Sequence, residues 1–277
     1  MAAVSLQSTS RDSLGSAEET LDRVAGGLSA QDLSTLGGEL YSVLRLLESE
    51  RTLLRHLADS TVPEESRTGL ARALFENKIG PAAYEVVTDL VGSRWSRPSD
   101  VLYVLETLAR RALLGVAEAD GELDDVEDEL FRFGRVLDRE PELNSLLTDP
   151  SGPVDKRVEL LDTVLADKAR PTTRALLEQA VRSPRGRALD LAANDLAVLA
   201  AARRDRYVAR VRTAVGLSQE QEQRLAETLT RMYGRQMSLQ VELDESLIGG
   251  LAVEVGGELI DGSVAGRLAA AQRKLPH

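Results

Sequence analysis

The sequence predicts a mainly α protein: two related helical bundles in tandem, followed by a small α/β C-terminal domain. Three observations predict it. Apolar residues recur at helical spacing through the first two thirds of the 277 residues. An offset of 90 residues brings much of that region into register with itself. Beyond about Arg206 the apolar period shortens to that of a strand.

Leu14, Ala17, Leu21, Val24 and Leu28 make one helical stripe, and Leu33, Leu36, Leu40, Leu44 and Leu47 make the next. Between them "GGLSAQD" breaks the pattern and offers Ser29 or Asp32 as an N-cap. Further helices fit residues 63–75, 81–92 and 98 to about 119, each opening near a proline, which is tolerated in a first helical turn. The repeat then carries the pattern forward. Leu40, Arg45, Leu47, Glu50, Leu53 and Leu57 recur as Leu130, Arg135, Leu137, Glu140, Leu143 and Leu147. Asp59, Pro63, Arg67 and Leu70 recur as Asp149, Pro153, Arg157 and Leu160, and Lys78, Pro81, Val91 and Ser93 as Lys168, Pro171, Val181 and Ser183. Chance alignment of Leu-rich helices does not bring proline and lysine punctuation together, so duplication is the reading.

In the last third "YVARVRTAV", "SLQVEL" and "LAVEV" alternate as strands. A helix opened by Ser218 with Gln221 three residues on lies between the first two, closes at Gly234, and offers Leu225, Leu229, Met232 and Tyr233 as its apolar face. This strand-helix-strand order suits a parallel crossover. "LAVEVGGELI" reads as a hairpin turning at Gly256 and Gly257. Ser263 is placed to cap a last helix carrying Val264, Leu268 and Leu275. The expected divisions are residues 1–110, 111–205 and 206–277.

A net charge of −11 argues against a nucleic-acid partner, because neutralising phosphates needs a basic face. With no cysteine and only His56 and His277, thiolate and imidazole chemistry have little to stand on, and no metal site is expected. No apolar stretch is long enough to span a bilayer, and no charged start with an apolar core marks a secretory leader, so a cytoplasmic protein is expected. "LIGGLAVEVGGELIDGS" (247–263) invites a phosphate-loop reading, but neither nucleotide-binding glycine pattern occurs there. Gly249, Gly250, Gly256 and Gly257 are therefore read as turns, and Asp261, Gly262 and Ser263 as the start of the last helix. "EADGELDDVEDEL" has calcium-loop carboxylates at Asp120, Glu122 and Asp124, yet Asp125 stands where the loop needs glycine. An acidic helix start is the simpler account. Trp95, the only tryptophan, is read as packing at a helix boundary, with a partner anchor as the sharper option. Arg203, Arg204, Arg206, Arg210 and Arg212 read as a solvated hinge or a surface for an acidic partner helix. No set of residues combines as acid and base, so no catalytic residue and no cofactor is assigned.

"VELDESLIGGLAVEVGGELIDGSVAGRLAAAQRKL" (241–275) resembles the closing segment of the delta subunit of the bacterial rotary ATP synthase, the family of the oligomycin-sensitivity-conferring protein. Leu247-Ile248-Gly249-Gly250, the alternating strand, and Ile260-Asp261-Gly262-Ser263 followed by Arg267-Leu268 carry the resemblance. "RRALLGVAEADGELDDVEDELFRFGRVLDREPELNSLLTDP" resembles the family's helical N-terminal domain, and "SPRGRALDLAANDLAVLAAARRDRYVARVRTAVGLSQEQ" its passage into the C-terminal region. Residues 1 to about 110 look like an extra copy of the helical domain, as in extended actinobacterial members, some of which are fused to a stalk subunit. No such fused segment is seen, so a separate b subunit is implied.

The resemblance implies a stator part at the cytoplasmic face of the membrane. In the family the helical domain holds an N-terminal helix of an alpha subunit, and the C-terminal region grips the end of the b helices. Leu113, Leu114 and Val116, with Leu176 and Leu177 as weaker choices, are the residues expected to contact the alpha helix. Leu247, Ile248, Leu251 and Val253 are expected to contact b. A soluble helical adaptor unrelated to the synthase is the alternative, and a soluble enzyme built on the α/β unit is the competing class.

Overall fold

The computed structural model describes residues 6–205, 208–233, 237–244, 247, 249–255 and 258–262. The chain forms two compact units, Met1–Ala197 and Val198–His277. Among the described residues no helix is long and apolar enough to cross a membrane.

The first unit is helical: α1 (Ser8–Ala25), α2 (Ala30–Ser49), α3 (Arg51–Ala58), α4 (Glu64–Phe75), α5 (Pro81–Gly92), α6 (Pro98–Ala119), α7 (Leu123–Arg139), α8 (Pro141–Thr148), α9 (Val154–Leu165) and α10 (Pro171–Arg182), with α11 (Leu189–Asp205) running on from it. Proline sets the starts of α5, α6, α8 and α10, where a missing N–H costs no helical hydrogen bond. Ser29 caps α2: its hydroxyl accepts from the Asp32 N–H, and the Asp32 carboxylate accepts from the Ser29 N–H. Leu28 falls outside α1, in the turn that this cap creates.

The 90-residue offset recurs in the structure. Adding it to the bounds of α3, α4 and α5 gives those of α8, α9 and α10. The same shift converts the first repeat's side-chain ties into the second's. Arg67 donates to the carbonyl of Val91, and Arg157 donates to that of Val181 at 3.0 Å. Glu39 accepts from the Gly80 N–H at 2.9 Å, and Glu129 accepts from the Arg170 N–H at 2.9 Å. Asp59 and Asp149 each fold their carboxylate back onto the N–H two residues on, at 2.9 and 2.8 Å. These bonds, with those from the Thr61 and Ser151 hydroxyls, hold both carboxyls below the usual aspartate range. Arg67 and Arg157 are both buried, because a guanidinium that meets the last carbonyls of a helix satisfies acceptors the helix itself leaves unpaired.

Helix α6 belongs to both repeats. It closes the first, packing on α1, α2 and α3, and opens the second, packing on α7 and α10. Thirteen of its 22 residues are buried, against six of 17 in α7, so it is a helix covered around most of its girth rather than along one stripe. It runs unbroken through position 110.

The second unit holds α12 (Gln219–Tyr233) and four strands: β1 (Val208–Thr213), β2 (Ser238–Leu243), β3 (Leu251–Val255) and β4 (Glu258–Asp261). Their order is β2-β1-β3-β4. β1 and β2 are parallel and joined through α12, as the strand-helix-strand pattern predicts, while β1–β3 and β3–β4 are antiparallel. Ala209, Val211, Leu229, Met237, Val253 and Val255 form the core, flanked by Leu225, Tyr233 and Ile260. Ser218 and Gln221 exchange the bonds of a capping box at 2.8 and 3.3 Å. Met232, expected on the apolar face of α12, is 63% exposed. Gly234, Gly256, Gly257, Ser263 and the predicted last helix lie outside the described residues.

Candidate docking surfaces

On the α6–α10 side of the second repeat, the chain's own α2 packs along α6 and ties to the end of α10 through side-chain bonds. Gly37 permits the close approach: a Cβ there would meet Leu113 Cδ2 at 2.6 Å. Farther along α2, Arg45 Nη1 donates to Gln179 Oε1 at 2.7 Å, and Glu48 accepts from the Ser183 hydroxyl at 2.5 Å. Arg185 reaches Glu48 at 3.3 Å and Glu106 at 2.7 Å. Glu106 is buried and also accepts from Arg187 at 2.8 and 2.9 Å and from Arg110. Arg185 has φ of +50°, a conformation that a non-glycine residue adopts only under constraint, and its two ion pairs supply that constraint.

Tyr41 lies in the same seam, 3% exposed. Burial pushes its phenol from 10.0 up to about 12, with Arg110 pulling the other way. The folded state therefore holds the proton more tightly than the unfolded state. The stabilisation is fully present below pH 10.0 and is lost as pH rises toward about 12. Denaturant titrations across that window should show the natural chain losing on the order of 2 kcal/mol more than a Tyr41→Phe variant. Equal losses would mean that Tyr41 ionises as freely in the fold as out of it.

Ninety residues earlier, the matching groove between α1 and α5 is open. It is a depression of about 570 Å³ bordered by Thr20 and Arg23 of α1, Thr68 of α4, and Tyr84, Thr88 and Asp89 of α5. Arg23 and Glu85 pair across its rim at 2.5 Å, with side chains 61% and 50% exposed. Thr88 Oγ1 and Asp89 Oδ2 are buried yet have no hydrogen-bond partner. A buried polar atom left unpaired costs about 1–3 kcal/mol, so such atoms mark places where a partner belongs.

Most of the residues expected to contact an alpha helix are inside the chain's own core. Leu114, Leu176 and Leu177 are fully buried, Leu113 is 5% exposed against α2, and Val116 is half-buried. Of those expected to meet b, Val253 is a core residue paired with Val211, Leu247 and Leu251 are half-buried, and Ile248 lies outside the described residues. Gly250 takes φ of +83° and Gly249 of +156° at the entry to β3. Gly262 donates its N–H to the Leu251 carbonyl at 3.0 Å, and Asp261 pairs with Ala252 across β4 and β3, so this pair ends the sheet.

The acidic run has a different employment from metal binding. Arg170 at the start of α10 pairs with Glu122 and with Asp125 at 2.5 Å, tying the α6–α7 turn to the second repeat. Among the described residues no cluster suits a metal ion. Trp95 is buried and donates its indole N–H to the Leu90 carbonyl at 2.8 Å, so it packs at a helix boundary. Pattern reading missed Glu106 and Asp89. The one available signal was a carboxylate, Glu106, set between Leu105 and Leu108 in an otherwise apolar stretch.

The family model described as ATP synthase delta (OSCP) subunit matches residues 109–275. The ATP synthase subunit delta of Parafrankia sp. (strain EAN1pec) is 44% identical over 277 residues, covering 98% of this chain and 99% of that protein. The ATP synthase subunit delta of Streptomyces griseus is 43% identical over 270 residues, again covering 98% and 99%. The ATP synthase subunit b-delta of Mycobacterium sp. (strain KMS) is 46% identical over 271 residues, and this chain spans 61% of its length. On the family match and on identities above two fifths along nearly its whole length, the chain belongs to the ATP synthase delta (OSCP) subunit family.

Proposed function

We propose that the chain is a peripheral-stalk subunit of a proton-translocating ATP synthase, a non-catalytic link between the catalytic head and the membrane-anchored b subunit at the cytoplasmic face. The observation that carries this reading is end-to-end similarity to actinobacterial delta subunits, including the repeat that precedes the family match. The architecture suits the task. A stator has to resist torque, and two repeats that share α6 and are cross-linked by the Glu106 ion pairs bend less readily than two beads on a linker. In this reading residues 1–110 are the added copy, 111–205 the family-like copy and 206–277 the C-terminal domain. The helical unit holds alpha-subunit N-terminal helices, and the segment around Leu247, Ile248, Leu251 and Val253 lies toward b. The fusion named in the mycobacterial relative, b-delta, fits a delta segment placed beside b.

The test is coupling. Membranes carrying the synthase, stripped of this chain, should hydrolyse ATP without pumping protons, and adding the purified chain should restore pumping. Pumping at full efficiency without the chain would contradict the stator role.

A further inference from the structure

We propose that the α10–α11 loop, residues 183–187, is an ionic strap that closes onto α2 and opens as salt rises, and that the two helical repeats move as one body only while it is closed. The opening is a property of the isolated chain and does not depend on the stator reading. That reading supplies only its use, a stalk part whose stiffness has a release.

The counterpart loop ninety residues earlier shows what changed. Ser93, Arg94, Trp95, Ser96 and Arg97 align with Ser183, Pro184, Arg185, Gly186 and Arg187. The earlier loop is anchored inside its own repeat by apolar packing and neutral bonds. Trp95 is buried and donates to the Leu90 carbonyl, the Ser96 N–H donates to Ser10 Oγ at 2.9 Å, and Ser13 donates to the Arg94 carbonyl at 2.7 Å. Salt does not screen ties of this kind.

The later loop has arginine in place of that tryptophan and holds on by charge. Ser183 donates to Glu48 of α2 at 2.5 Å, Arg185 pairs with Glu48 at 3.3 Å and with Glu106 at 2.7 Å, and Arg187 pairs with Glu106 at 2.8 Å. Glu48 belongs to the first repeat, so the strap crosses from one repeat to the other, beside the bond from Arg45 of α2 to Gln179 of α10. Elsewhere the repeats meet through α6, which packs on helices of both.

Two features make the strap releasable. Glu48, Arg185 and Arg187 are partly exposed, so dissolved ions reach pairs that a dry interior would shield. Arg185 and Gly186 also stand in left-handed backbone, at φ of +50° and +71°, a conformation that glycine adopts freely and arginine does not. Once its pairs are screened, Arg185 relaxes toward its preferred backbone and the loop lifts from α2.

Hydrogen exchange of the full chain, followed by mass spectrometry, tests the strap in about 0.1 M and about 1 M sodium chloride, where the screening length is about 10 Å and about 3 Å. The amides to compare are the Arg187 N–H, bonded to the Pro184 carbonyl at 2.9 Å, and the Ser96 N–H. Exchange across 183–188 should rise roughly tenfold between the two salts, and across 93–97 by less than about twofold. Glu48→Gln keeps an acceptor for Ser183 but removes the charge, so it should raise exchange of the later loop in low salt and shrink its salt response. Arg185→Gln does the same from the other side, and serves if Glu48→Gln lowers the thermal midpoint. The chain has no cysteine, so spin labels on Ser66→Cys and Lys156→Cys, equivalent exposed sites in α4 and α9, report the distance between the repeats. That distance should spread more widely in high salt and in either strap variant. An equal salt response in the two loops, or an unchanged one in both variants, would overturn the ionic strap. A loop that opens while the label distance stays narrow would overturn its part in joining the repeats. Either result leaves the stator reading standing, because the coupling of ATP hydrolysis to proton pumping is measured separately.

Discussion

Replacing Leu108 by Asp should unfold both helical repeats together. Leu108 is fully buried in α6, the helix that closes one repeat and opens the next. Truncating a buried leucine costs about 2–5 kcal/mol, and placing an unpaired carboxylate in the cavity adds several more. That sum, above about 5 kcal/mol, rivals the whole stability of an ordinary domain. Hydrogen exchange followed by mass spectrometry should show amides of α1–α5 and of α7–α10 losing protection at the same rate. Leu146→Asp, at a side chain 59% exposed, is the control and should change stability by no more than about 0.5 kcal/mol. Protection lost from one repeat alone would show that α6 does not couple them. For the same reason, deleting residues 1–110 removes the first turns of α6 and uncovers the rest.

Glu106→Ala should cost about 3 kcal/mol or more. The carboxylate is buried and serves three guanidinium groups, those of Arg110, Arg185 and Arg187, the last only 33% exposed. Removing one member of a buried charge cluster is expensive, because the others stay out of water without compensation. Glu106→Gln keeps one acceptor and should lose less. Urea denaturation at neutral pH measures both. A loss under about 1 kcal/mol for the alanine variant would mean that the arginines rehydrate freely, and that the seam between the repeats is held by apolar packing alone.

Much of this fold was legible in the sequence because its punctuation is local. Prolines at 81 and 98 set the starts of α5 and α6, Ser29 and Ser218 announced their caps, and alternation delimited β2 and β3 to the residue. The repeat was legible because Arg67, Asp59 and Pro63 make bonds or turns within a single repeat that each copy must reproduce. Which helix faces are covered was not, because covering is a long-range event. Leu113 and Leu114 present the same helical pattern whether an external helix or α2 lies over them. Tyr41 and Phe131 occupy matching places, yet one is 3% and the other 52% exposed, since α2 has a following repeat to cover and α7 has none. The open groove is lined largely by threonine and charge, so a search for apolar spacing passes over it. Asp89 stands out only once its neighbours are known.

The central claim is that this chain ties two other subunits together without taking part in their chemistry. Native mass spectrometry of the full chain, mixed with the alpha N-terminal peptide and a C-terminal fragment of b, tests it most directly. The account predicts a ternary assembly in which both ligands are bound at once, and in which each binds as tightly with the other present as without it. Displacement of one ligand by the other, or binding of neither at micromolar concentration and low salt, would contradict it.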